Sequence, residues 1–118
     1  MAVAAAAVNN FKTITAVVGL TTVNVYTAPV GFVGVFLLAQ CSNVGSTTQT
    51  ISFNHNRVES GIGTVTTEIV RNFSIPGNDT ANLLPGKLVL ETNDYITING
   101  SSASDLKFIA SVLETSNQ

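Results

Sequence analysis

The side chains that could carry out chemistry are few in this sequence. His55 is the only histidine and Cys41 the only cysteine among 118 residues. A zinc site needs several converging ligands, and nucleophilic catalysis needs a nucleophile, a base and a group that orients the base. One histidine and one cysteine, separated by polar strand residues, meet neither requirement. We therefore expect Cys41 to be a small buried hydrophobe, and His55 to lie at a strand end, hydrogen-bonded or solvated.

The seven acidic residues predict no paired-carboxylate site. Most fall at predicted turns or at solvent-facing strand positions, and Asp79 and Asp94 are expected to be turn formers whose carboxylates accept hydrogen bonds from nearby amides. A weak Ca²⁺ site on these loops is an alternative that the sequence leaves open. No serine has the Gly-x-Ser-x-Gly pattern of a nucleophile elbow, and no predicted helix follows Gly61-Ile62-Gly63 to form a phosphate loop. We expect no catalytic residues, no cofactor and no metal.

Charged residues are scarce, at 10% of the chain against about 25% in typical soluble proteins. Ser, Thr and Asn supply the polar groups instead, and hydroxyls and amides can be buried against another protein at a far lower desolvation cost than charges. A net charge of −2 with five scattered basic residues provides no patch for nucleic acid or for a membrane surface. The composition therefore favours a protein that assembles with other protein subunits.

Short strand patterns follow one another between turn signals, and β-branched residues dominate them. They predict an all-β fold: an antiparallel β-sandwich of jelly-roll or Greek-key type with about eight strands. We divide the chain into an N-terminal arm at residues 1–10 and a single β-sandwich domain at residues 11–118. The predicted strands are Phe11–Val18, Thr21–Thr27, Phe32–Ser42, Thr48–Asn56, Thr64–Ile75, Lys87–Glu91, Tyr95–Asn99 and Asp105–Thr115.

Hydrophobic alternation also predicts which residues point into the core. The strands Lys87–Glu91 and Tyr95–Asn99 are expected to form a hairpin across Thr92-Asn93-Asp94, with Ile96 and Ile98 pointing together into the core. Two further strands carry apolar residues in phase. They are Leu106, Phe108, Ala110 and Val112 on the last strand, and Val65, Ile69, Phe73 and Ile75 on the strand from Thr64.

The strand Phe32–Ser42 is apolar on both of its faces. A sandwich strand normally packs on the core with one face only, so this pattern predicts that the second face is covered as well. The cover is either a loop or arm of the same chain or a neighbouring subunit. If the strand alternates strictly, one face carries Val33, Val35, Leu37, Ala39 and Cys41. The residues of the second face, with two from the last strand, form the candidate interface: Phe32, Phe36, Leu38, Ile109 and Leu113.

Several pieces of this strand-and-turn pattern also occur in a known group of proteins. They are Tyr26-Thr27-Ala28-Pro29 followed by Gly31 and an apolar strand, the break at Asn43-Val44-Gly45, Ile75-Pro76, the run from Leu83 to Glu91 leading to Asp94, and the closing run from Ala110 to Glu114. On these pieces the chain resembles small virion structural proteins of tailed bacteriophages, including those of marine and cyanobacterial phages. Those proteins are small β-sandwiches that decorate capsids or serve in necks and tails, without an enzymatic role.

The resemblance implies a virion structural protein that is made in the host cytoplasm. Its expected role is that of a capsid decoration (cement) protein, which binds the outside of the head and stabilises it through subunit contacts. Its expected partners are copies of itself, in a small symmetric oligomer such as a trimer, and the major capsid protein or other virion proteins. A neck or tail component is one alternative. A carbohydrate-binding β-sandwich module is another, and would use Tyr26 or Tyr95 to contact the sugar.

Overall fold

The computed structural model describes residues 9–117 of the chain. This part contains nine β-strands, joined by turns and loops, and no helix. The predicted all-β antiparallel sandwich is confirmed, with nine strands where the sequence indicated about eight. Within the same residues, no helix is long and apolar enough to cross a membrane. The strands are β1 Asn9–Val18, β2 Val23–Thr27, β3 Phe32–Asn43, β4 Gln49–Glu59, β5 Gly63–Ile75, β6 Asp79–Asn82, β7 Leu88–Leu90, β8 Tyr95–Gly100 and β9 Leu106–Ser116.

The strands follow the path of a jelly roll. Their pairing describes one long hairpin, in which β1 pairs with β9, β2 with β8, β3 with β6 and β4 with β5. The hairpin is wound on itself, which adds the pairs β3–β9 and β4–β8. The result is a five-stranded sheet in the order β1-β9-β3-β6, with β7 also on β3, and a four-stranded sheet in the order β2-β8-β4-β5. Two such sheets with Greek-key connections form the jelly-roll sandwich.

The predicted arm at residues 1–10 lies outside the described residues as far as Val8. Asn9 and Asn10 are the first residues of β1 and pair with Thr115 and Glu114 of β9. The first strand therefore begins two residues before its predicted start.

β7 and β8 do not form the hairpin that the sequence predicts. β7 pairs with β3 in the five-stranded sheet, whereas β8 pairs with β2 and β4 in the four-stranded sheet. The connection Thr92-Asn93-Asp94 therefore crosses from one sheet to the other, and Asn93 has a positive φ of 74° within it. A three-residue link looks the same in sequence whether its strands pair or face each other across a core. β6 has no clear sequence signal, because Ala81 is its only apolar residue.

Aromatic rings fill the centre of the core between the sheets. Phe36 packs against Tyr26 and Phe53, with ring centroids 5.4 and 6.3 Å apart, and Phe53 packs against Phe108 at 5.9 Å. Ring pairs at these distances stabilise a core beyond the area that they bury. The in-phase residues predicted for the last strand are all buried, as are both isoleucines predicted for β8, so these two predictions are confirmed.

A bulge in β3 changes which of its residues face the core. The register with β9 shifts between Phe36 and Leu38, which leaves Leu37 as the extra residue. Phe36 points into the core before the bulge, Ala39 and Cys41 do so after it, and all three are completely buried. Strict alternation places Phe36 on the opposite face from the other two, and that prediction is wrong because one inserted residue reverses the phase.

β5 is the outer strand of the four-stranded sheet and is mostly exposed. Of the four residues predicted to point together into the core, only Ile75 is fully buried, while Val65 and Phe73 are 46% and 50% exposed. The pairing with β4 is irregular on both sides of Phe53, and Asn72 has a positive φ of 49°. These irregularities break the alternation of β5, and they also make it a poor template for an incoming strand.

Gly77 lies where the turn after β5 touches the turn after β3. A Cβ atom at this position would lie 2.5 Å from the carbonyl carbon of Ser46 and 2.6 Å from its oxygen. Because backbone atoms cannot swing away as a flexible side chain does, we expect Gly77→Ala to lower the free energy of unfolding by about 1–3 kcal/mol. Urea denaturation would measure the change.

Gly86→Ala is the matched control, because no atom lies within 4 Å of a Cβ at that position. Its free energy of unfolding should stay within about 0.5 kcal/mol of the original value. Equal decreases in the free energy of unfolding of the two variants would show that the close backbone contact at Gly77 does not affect stability.

Candidate interaction surface

His55 and Asp94 form a buried pair between β4 and the connection after β7. Nε2 of His55 lies 3.4 Å from Oδ2 of Asp94, and the two side chains are 14% and 3% exposed. The Asp94 carboxylate also accepts hydrogen bonds from the backbone N–H groups of Val58 and Glu91, at 3.2 and 3.0 Å. Asp94 is a turn former, as predicted. The predicted position of His55 at a strand end is wrong, because this residue lies well inside β4.

The arrangement around Asp94 is that of a structural contact. Both of its carboxylate oxygens accept a backbone N–H, and together they hold β4 to the crossing between β7 and β8. Within residues 9–117, no group of three or more His, Cys, Asp or Glu side chains could hold a metal ion.

Glu114 of β9 is an exception to the solvent exposure expected of the acidic residues, because it is only 3% exposed. Tyr26 of β2 donates its hydroxyl proton to Oε2 of Glu114 at 2.6 Å, and Nζ of Lys12 lies 3.5 Å from Oε1. The Tyr26–Glu114 bond joins the two sheets. Gly34 provides space for it, since a Cβ there would lie 2.8 Å from the Tyr26 hydroxyl.

Two buried groups hold their protons more tightly than usual. Burial raises the pKa of Tyr26 well above its ordinary value, and the hydrogen bond to Glu114 and the charge of that residue raise it further. Burial also raises the pKa of the Cys41 thiol from its ordinary 9.0 to about 11. Cys41 is a small buried hydrophobe, as predicted.

These raised pKa values predict a loss of stability at alkaline pH. The unfolded chain releases each proton at a lower pH, so each contribution is complete below the ordinary pKa and is lost as the pH rises towards the folded-state value. We expect the free energy of unfolding to fall above about pH 9, by up to about 1.4 kcal/mol per pH unit for each titrating group. Urea unfolding at a series of pH values would measure the decline.

The variant Cys41→Ala separates the contributions of the two groups. It lacks the thiol, so its decline should begin about one pH unit later, where tyrosine ordinarily titrates. If the decline between about pH 9 and 10 is unchanged in this variant, the thiol is not its cause.

A continuous row of apolar side chains crosses the outer face of the five-stranded sheet. Directly opposite residues in antiparallel strands lie on the same face, and the register places Phe11 beside Leu113, Leu113 beside Val35, and Val35 beside Val89. Phe11 is 76% exposed and Val89 is 55% exposed, while Leu113 and Val35 between them are half-buried. The row therefore runs across β1, β9, β3 and β7.

We call the outer surface of the five-stranded sheet the apolar face. Lys107 is the only charged residue among the described strand residues that point to this side. Contiguous exposed apolar patches commonly mark contacts with other proteins. Besides the row, the apolar residues of this face are Val17, Val33, Leu37, Leu38 and Ile109.

The outer face of the four-stranded sheet is polar instead. Nδ2 of Asn56 donates to Oγ1 of Thr97 and to the carbonyl oxygen of Tyr95, at 3.1 and 3.2 Å, and Oδ1 accepts from the Thr66 hydroxyl at 2.8 Å. The two broad surfaces of the sandwich therefore differ in chemistry. Further polar residues on this face are Asn24, Ser52, Asn54, Glu68 and Asn99.

The structure separates the five residues that the sequence groups as a candidate interface. Leu38, Ile109 and Leu113 lie on the apolar face, and their contact with a partner stays a prediction. Phe36 is completely buried in the core, and Phe32 is half-buried in phase with it, so neither is on that face. The bulge in β3 is the reason that Phe36 was misplaced.

Sequence reasoning missed Phe11, Val35 and Val89, which complete the row. The available signal was only their apolar type, because the three residues lie on three different strands. Their proximity depends on the pairing of β9 and β7 with β3, which the sequence pattern does not reveal.

No protein-family model and no curated protein sequence matches the chain. Among solved structures, a chain from Bacillus endospore appendages, a family of disulfide-linked pili, is similar with a TM-score of 0.53 and 15% identity, over 95% of this chain and 89% of that chain. A chain of the T13 particle of infectious bursal disease virus is similar with a TM-score of 0.58 and 12% identity, over 91% of this chain but only 31% of the viral chain. VP2 of the same virus, in T=1 particles, has a TM-score of 0.52 at 15% identity and the same coverage. At these identities the likeness shows a shared fold alone, and the neighbours are components of pili and virus particles.

Proposed function

We propose that the chain is a non-enzymatic structural subunit of a bacteriophage virion, and more specifically a decoration protein that binds the outside of the head. The observation that carries this proposal is the apolar face, a broad exposed sheet surface with a single charged residue. A soluble monomer gains no stability from such a surface, whereas a subunit can bury it against its neighbours.

Burial of the apolar face would supply binding energy at many points. Fully burying an exposed apolar side chain contributes roughly 1.5–3 kcal/mol, and Phe11, which is 76% exposed, has most of that contribution still to gain. A symmetric assembly multiplies modest contacts, because copies that engage several sites at once gain avidity. The continuous aromatic core of the sandwich gives a stiff body, which suits a protein that reinforces a shell.

The structural neighbours support a role in a protein assembly, but they include both pilus and virus components and so do not distinguish between these two kinds of assembly. One of them forms disulfide-linked pili, but here the single cysteine, Cys41, is completely buried. Because a disulfide between subunits needs an accessible thiol, the buried position of Cys41 argues against that mode of assembly. A neck or tail component with the same fold is the main alternative within the virion.

The alternative hypothesis, a sugar-binding module, has less support. Tyr26, one of its two proposed contacts, is 9% exposed, packs on Phe36 and donates its hydroxyl to Glu114. Its ring face is therefore not available to a sugar. Tyr95 is half-buried on the polar face.

Cryo-electron microscopy of phage particles from the organism that carries the gene tests the proposal. We expect symmetric copies of the sandwich on the outside of the head, each with its apolar face buried. Density for the chain in the neck or tail would select the alternative. Absence of the chain from purified particles, measured by mass spectrometry, would refute a virion role.

A further inference from the structure

The apolar face has the chemistry and the size to bind a second copy of this chain. We infer that two copies pack with their apolar faces together about a two-fold axis that runs parallel to the strands, between β9 and β3. This inference rests on the proposed structural role, and it identifies a second copy of the chain as one of the partners in that role. It specifies which residues meet across the contact.

The size of the face matches that of a stable interface. β9 has 11 residues, which at about 3.4 Å per residue gives a length of roughly 37 Å. Four strand positions at about 4.8 Å spacing give a width of roughly 20 Å. The footprint is therefore roughly 700 Å² per copy, close to the roughly 800 Å² per partner of standard specific interfaces.

The two-fold axis makes the apolar row complementary to itself. Rotation about an axis between β9 and β3 exchanges the two ends of the row, so Phe11 of one copy lies over Val89 of the other. Leu113 of one copy lies over Val35 of the other in the same way. Each exposed end of the row thus meets an apolar side chain, at the spacing of about 10 Å that packed sheets adopt.

The only charge on the face does not oppose the arrangement. Lys107 of β9 is the register partner of Ser42 of β3. The same rotation therefore places Lys107 over Ser42 of the second copy and keeps the two lysines apart. A hydroxyl is an acceptor for the ammonium group, and like charges do not meet.

Met1–Val8 is the other apolar element that this chain could place on the face. β1 leaves the sandwich at Asn9, where it pairs with Thr115, so the preceding segment must reverse direction to cover the row of its own copy. Residues 1–8 contain no Gly, Pro, Asn, Asp or Ser, the residues that build tight turns. This absence of turn formers favours the second copy as the occupant.

Sedimentation of the full chain, with matched variants, tests the inference. We expect a dimer with a dissociation constant of about micromolar or tighter. Phe11→Glu should weaken it at least about 100-fold, because a buried unpaired charge is introduced twice per dimer. Phe73→Glu is the control, since Phe73 is 50% exposed on the other sheet, and it should leave the dimer unchanged.

A charge-pair rescue tests the register itself. Val89→Lys alone should also weaken the dimer, whereas Phe11→Glu combined with Val89→Lys should restore affinity to within about tenfold of the original, because the two positions face each other across the axis. Circular dichroism of each variant checks that it is folded. No rescue in a folded double variant would overturn the proposed register.

Three further results would overturn the inference: a monomer at about 100 µM, equal effects of Phe11→Glu and Phe73→Glu, or loss of the dimer on deletion of residues 2–8. The last result would show that the Met1–Val8 segment, and not contact between two apolar faces, holds the copies together. The proposed function is tested separately, on purified particles. A dimer with the expected rescue and a chain absent from particles would leave the inference standing while refuting the virion role.

Discussion

Phe36→Ala is expected to lower the free energy of unfolding by about 3–5 kcal/mol, the usual cost of replacing a fully buried phenylalanine with alanine. Phe36 is completely buried and packs against Tyr26 and Phe53, which belong to the opposite sheet. Its removal leaves a cavity at the centre of the core, where two rings lose a packing partner. Urea denaturation followed by circular dichroism would measure the loss.

Leu37→Ala is the matched control for Phe36→Ala. Leu37 is the extra residue of the bulge and is 38% exposed, so its truncation should cost no more than about 1 kcal/mol. Strict alternation along β3 would make Leu37 the core residue and Phe36 the surface residue. A larger loss for Leu37→Ala than for Phe36→Ala would therefore contradict the bulge.

Asp94→Ala is expected to lower the free energy of unfolding by about 2–4 kcal/mol, because it leaves two backbone N–H groups without their acceptor. Those groups belong to Val58 and Glu91, and the carboxylate that they bind is 3% exposed. Hydrogen exchange measured by NMR should show faster exchange of these two amides in the variant. Unfolding in urea would give the energetic cost.

Asp79→Ala provides the comparison for Asp94→Ala. Asp79 also accepts a backbone hydrogen bond, from the N–H of Thr80 at 2.8 Å, but this bond is exposed to solvent. Water can replace an exposed acceptor, so the cost should stay below about 1 kcal/mol. Similar costs for both aspartates would indicate that the two buried hydrogen bonds to Asp94 contribute no more to the free energy of unfolding than the exposed one at Asp79.

The sequence predicts regular strands well and fails where a strand is irregular. In β9, Leu106, Phe108, Ala110 and Val112 alternate without interruption, and all four are buried as predicted. β3 contains the same kinds of residue, but one extra residue at Leu37 reverses the phase of its two halves. A bulge is set by the strands on either side, so a single-strand pattern cannot locate it.

Sheet membership was equally hidden from local patterns. Leu88–Leu90 and Tyr95–Gly100 are close in sequence, and the short link between them is typical of a hairpin. The structure places them in opposite sheets because β3 and β4 provide their hydrogen-bonding partners. Long-range pairing, not the turn, decides the path of the chain here.

The candidate surface could be predicted in kind but not in detail. Low charge and excess apolar residues indicated a face covered by protein, and Ile109 and Leu113 were assigned to it. The row that connects them to Phe11 and Val89 depends on strand register, and the bulge moved Phe36 from the surface into the core. Glu114 was unexpected, because its partner Tyr26 comes from a strand 88 residues away.

The pairing of β1 with β9 has a consequence for biosynthesis. Asn9–Val18 leaves the ribosome well before its hydrogen-bonding partners, which lie in Leu106–Thr115. At roughly 5–20 residues per second, synthesis of the intervening chain takes on the order of 5–20 s. During that time β1 has no native hydrogen-bonding partner. We therefore expect the five-stranded sheet to be completed late and slowly, as for other folds with mostly non-local contacts.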